Sequence, residues 1–144
     1  MGTIASVTAN VKKLDLAKEA MGVVVEMKEE MLQLNKDQLA DGVNKEGSDI
    51  TPSYAPSTRA KKLRLGRSGK VDLLDKGDFQ EAMKIKVLSK ESYEVYSTNW
   101  KNAMLIKRYG KVTFFGLNRQ SISELIQTGF EDNLMTRVRN VTKL

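Results

Sequence analysis

The apolar residues of this chain change their spacing twice, and that change constrains the fold more than any other feature. Ala17, Ala20, Met21, Val24, Met27, Met31 and Leu34 recur at intervals of three and four. That spacing predicts one long amphipathic helix from Leu16 to about Leu39, capped by Asp15 and stopped at Asp41-Gly42. Met83, Ile85 and Val87 then alternate with Lys84 and Lys86, and Tyr93 and Val95 with Glu94 and Tyr96. Alternation on both sides of Ser89-Lys90-Glu91-Ser92 predicts an antiparallel β-hairpin. The helical spacing returns at Ile122, Leu125, Ile126, Phe130, Leu134 and Val138, predicting a last helix from a cap at Ser121 to about Val141. The expected class is α+β: two long helices, N- and C-terminal, packed on a small antiparallel hairpin, with short additional helices.

Between these segments the chain is less regular. Residues 1–14 read as an N-terminal arm, and residues 43–70 as an exposed loop followed by a short basic helix starting near Pro56. Asn99 is placed to cap a helix from Trp100 to Tyr109, closed by Gly110. A length of 144 residues fits a single domain, 1–144. No run approaches the ~20 apolar residues of a membrane span, and the N-terminus lacks the form of a secretory signal.

The chain has no cysteine and no histidine. Disulfides, thiolate metal sites, imidazole zinc sites and Ser–His or Cys–His pairs are therefore excluded. No nucleophile–base pair can be named, so no catalytic residue, cofactor or metal is expected. Gly66-Arg67-Ser68-Gly69-Lys70-Val71 has the wrong spacing for a phosphate loop, and Val71 stands where a Ser or Thr is needed. Asp72, Asp75, Asp78 and Glu81 would share one face of a helix. They are better read as a cap at Asp75 or Asp78 with solvated neighbours than as a cation site.

The net charge of +6 is local. Residues 57–71 contain Arg59, Lys61, Lys62, Arg64, Arg67 and Lys70 and no acid, while the other 18 basic residues balance the 18 acidic ones. This stripe is the expected contact surface for an acidic partner or for phosphates, unless it is simply solvated. No aromatic residue lies between Tyr54 and Phe79, so the stripe lacks a stacking platform for bases. Met21, Met27, Met31, Trp100, Phe114, Phe115 and Phe130 are expected in the core. Phe114 and Phe115 would instead be interface anchors if the domain assembles into a ring.

Three short motifs follow the first helix in order. They are Ser53-Tyr54-Ala55-Pro56 with Lys61-Lys62, then Asp72-Leu73-Leu74-Asp75-Lys76-Gly77-Asp78-Phe79, then Phe114-Phe115-Gly116-Leu117-Asn118. From about Met31 onward this order resembles the tail-completion, or head–tail joining, proteins of tailed bacteriophages and the virion-morphogenesis proteins of Mu-like phages. Lys76 departs from the pattern, which usually has Thr before the Gly. The resemblance implies a non-enzymatic virion protein of the neck or upper tail, assembled in the host cytoplasm as a homo-oligomeric ring. Its partners would be portal, connector and tail proteins, with non-specific contact to packaged DNA and none to a membrane. Asp72 and Leu73 would fix the loop against the core. Gly77 would allow a turn too tight for a side chain before Asp78 and Phe79 lead into the hairpin. The alternative from another class is a small basic nucleic-acid-binding protein.

Overall fold

A computed structural model describes residues 4–110 and 114–143. Helices α1 (Ile4–Lys12), α2 (Leu16–Glu26), α3 (Lys28–Ala40) and α4 (Pro56–Arg64) come first. A single turn, α5 (Asp78–Glu81), leads into strands β1 (Met83–Ser89) and β2 (Ser92–Ser97). Then come α6 (Asn102–Tyr109), α7 (Arg119–Leu125), a π turn (Ile126–Phe130) and α8 (Glu131–Thr142). The architecture is α+β, as the change of spacing predicts.

Each long helix is interrupted. The first breaks at Met27 (φ −106°, ψ 22°), just after the β-branched run Val23-Val24-Val25. Crowding at χ1 makes such a run a poor helix interior. The break lets Val23, Val24 and Met27 and then Met31, Leu32 and Leu39 all turn inward. Asp15 caps α2 as expected, accepting from the Lys18 N–H at 3.1 Å. The last helix is capped by Asn118, not Ser121: the Asn118 side chain accepts from the Ser121 N–H at 2.8 Å. It kinks where Gly129 adopts φ 136°. The π turn adds a residue and shifts the apolar face. Leu125 is buried and Phe130 and Leu134 pack on the core, but Ile122 and Ile126 stay exposed.

The hairpin forms as expected, and its register places Met83 opposite Ser97 and Ile85 opposite Val95, with a bulge between Val87 and Ser89. Met83, Ile85 and Val95 face the core, and β1 packs on α3. α3 also packs on α7, while α1 and α2 pack on α8. α6 starts at Asn102 with Lys101 at its N-cap, two residues later than expected, and Asn99 makes the turn before it by accepting from the Lys101 N–H at 2.9 Å. Trp100 is not a core residue: it is 79% exposed, with the Lys101 ammonium 5.6 Å from its ring.

Candidate functional site

The junction between the basic stripe and the hairpin folds around one carboxylate. Pro56 stands in the first turn of α4, its fixed φ suited to a helix start. One turn on, Lys62 points inward and is the only buried residue of α4. Its ammonium meets Asp72 Oδ1 at 2.8 Å, and both side chains are nearly closed to water. The same oxygen accepts from the Tyr54 hydroxyl and the Leu74 N–H, each at 3.0 Å. The Leu73 N–H donates to the Tyr54 oxygen at 3.0 Å. Lys62 also donates to the Leu74 carbonyl, which Arg67 Nη1 reaches at 2.8 Å. Burial, and then the Asp72 charge, push the Tyr54 hydroxyl far above the usual phenol range, so it remains a donor.

The knot holds the backbone in an unusual shape. Leu73 has φ 54°, a left-handed conformation that costs a residue with a side chain about 1–2 kcal/mol. Its buried side chain and its hydrogen bond to Tyr54 offset that cost. Gly77 follows with φ 93° at the start of α5. The expectation that a side chain could not fit there is corrected. A Cβ at Gly77 would have only Glu81 Oε1 near it, at 4.0 Å, so the conformation selects glycine and crowding does not.

Beyond Gly77, Phe79 carries the junction into the core. Its ring packs edge-on to Phe114 at 5.9 Å and stacks with Phe115 at 6.0 Å. Phe114 and Phe115 are therefore not interface anchors, because this cluster buries both within the chain. Residues 111–113, which begin the apolar passage before them, lie outside the described residues.

Two polar residues of α3 bind the third motif, and sequence reasoning missed both. Asn35 donates to the Phe114 carbonyl at 3.1 Å and accepts from the Gly116 N–H at 3.0 Å. Gln38 donates to the Gly116 carbonyl at 2.9 Å and accepts from the Asn118 N–H at 2.8 Å. Both are buried. Their signal in the sequence is faint: an amide next to Leu34 and another next to Leu39, on the buried side of the first helix.

The basic stripe thus divides. Lys62 is withdrawn from the predicted contact surface because Asp72 neutralises it inside the fold. Arg67 is half-buried on the Leu74 carbonyl, and Lys70 is exposed but paired with Asp49 at 2.9 Å. Arg59, Lys61 and Arg64 remain exposed, with no ion pair or side-chain hydrogen bond among the described residues. The four acids do not share a face. Asp72 is turned inward to Lys62, and Asp75 reaches Lys101 at 3.3 Å, a contact that lowers its carboxyl below the usual range. Neither Asp75 nor Asp78 caps α5 through its side chain. Among the described residues no three carboxylates come together as a cation cage.

A groove of about 250 Å³ opens beside the knot, with Lys61, Leu65, Leu74, Lys76 and Leu105 in its walls. Comparison with known protein families, curated proteins and solved structures finds no match to this chain.

Proposed function

We propose that this chain is a structural virion protein of a tailed phage, a tail-completion or head–tail joining component that assembles with copies of itself at the neck. The observation that carries the reading is the convergence of the motifs behind the resemblance. Tyr54 of the first motif, Lys62 behind it and Asp72 of the second form one buried network. Phe79 of the second motif meets Phe114 and Phe115 of the third. These residues depend on one another for a shared structural reason, so the three motifs act as one structural unit. A scaffold built this way leaves Arg59, Lys61 and Arg64 as outward charges for a partner.

The reading is tested by co-expressing the chain with portal and tail-tube proteins, then measuring mass and imaging the particles. A discrete ring, alone or seated on either partner, is the expected result. Salt-dependent retention of DNA by the monomer, with no ring on any partner, would replace the reading with the nucleic-acid-binding alternative.

A further inference from the structure

Helix α4 is inverted relative to an ordinary surface helix. Its buried residue is a lysine, while Leu63, and Leu65 at its C-terminal end, are 52% and 60% exposed. Ordinary amphipathic helices bury the apolar stripe and expose the charge. Here the Lys62–Asp72 pair anchors the helix and leaves two leucines in water between Arg59, Lys61 and Arg64. Phosphates would match those cations but would leave the leucines uncovered. An acidic protein surface with apolar neighbours matches both.

The chain carries such a surface. A depression of about 820 Å³ lies between α3 and α7, and Asp37, Asp41, Glu46 and Glu124 line it. Arg119 is the one cation in that lining among the described residues. From Gln120 to Thr136 the sequence has three acids and no base, the reverse of the α4 stripe. Leu34 and Val43, both half-buried, are the apolar residues of that lining.

We infer that the exposed face of α4 seats in the α3–α7 depression of a second copy of this chain. Arg59, Lys61 and Arg64 then face the four carboxylates, and Leu63 and Leu65 lie toward Leu34 and Val43. The two patches are different surfaces, so the contact is heterologous. Repeated head to tail, it builds a ring wherever the rotation per step closes. The inference deepens the assembly reading and rests on it, naming the surfaces that would join neighbouring copies.

The test is sedimentation velocity of the full chain at low salt, where charge pairing is least screened. The wild type is expected to sediment as more than a monomer. K61E with R64E, and separately D41K with E124K, are each expected to weaken association by about tenfold or more. The four substitutions together are expected to restore it, since the charges are then exchanged. All four residues are exposed and outside the buried networks, so unchanged thermal midpoints confirm folding. Association untouched by either reversal, or failure of the combined variant to recover, overturns the inference, as does a wild type that stays monomeric. A 20-base DNA oligonucleotide that binds the wild type but not K61E with R64E, while the wild type stays monomeric, overturns it in favour of phosphate contact. A monomeric wild type that still joins a portal or tail protein leaves the virion reading standing and removes only this contact.

Discussion

Lys62 Nζ lies 2.8 Å from Asp72 Oδ1, buried on a helix whose other basic residues, Arg59, Lys61 and Arg64, are exposed. Removing one partner of a buried ion pair strands the other without solvent, at a cost of about 3–5 kcal/mol. Lys62→Met is expected to destabilise the fold by that amount. Arg64→Met, two residues on and exposed, is expected to change stability by about 0.5 kcal/mol or less. Urea unfolding of the two variants side by side checks the contrast, and equal effects would place Lys62 on the surface.

Tyr54 links this pair to pH. Its hydroxyl ionises far less readily in the fold than in the unfolded chain, because of burial and the neighbouring Asp72. A group raised in this way contributes fully below its unfolded pKa, about 10 for tyrosine, and its contribution falls as pH rises above that. Unfolding free energy is therefore expected to decline above about pH 10. Tyr54→Phe should be less stable at neutral pH, and its further loss at alkaline pH shallower. Denaturant titrations at pH 8 and pH 11 supply the measurement.

Asn35 and Gln38 serve the backbone of the third motif. Truncating either leaves buried N–H and C=O groups of Phe114, Gly116 or Asn118 unpaired, at about 1–3 kcal/mol per stranded group. Asn35→Ala and Gln38→Ala are each expected to lower the thermal midpoint by several degrees. Amide exchange at Gly116 and Asn118 should accelerate even at temperatures where the rest of the chain keeps its protection.

Gly77 separates conformation from crowding. Gly77→Ala meets open space but must hold φ 93°, so a loss of about 1–2 kcal/mol is expected. Gly77→Asn should lose less, since Asn tolerates positive φ better. Calorimetry of the two variants decides. A larger loss with Asn than with Ala would mean that side-chain size, and not φ, is limiting.

Much of the scaffold is legible in the one-dimensional pattern. The period of the apolar residues marks the helices at each end and the hairpin between them, because a half-buried helix and a half-buried strand impose different spacings. Asp15 and Gly110 punctuate elements as local chemistry predicts, since capping and positive φ are decided within a few residues. The breaks at Met27 and Gly129 are less legible. Either segment could run straight, and the core it must cover decides whether it bends.

The sequence by itself determined the α+β class, the presence of the hairpin and the acid-free stripe from Ser57 to Lys70. Only the tertiary structure decided which of those charges are free. Lys62 and Lys61 are adjacent and chemically identical, yet one is sealed against Asp72 and the other stands in water. A helix turns about 100° per residue. Which lysine faces inward is fixed by where Tyr54 and Asp72 arrive from elsewhere in the chain. The same holds for Trp100, left outside, and for Phe114 and Phe115, drawn in by Phe79. Burial of a side chain is set by its neighbours in space, and a list of residues does not contain them.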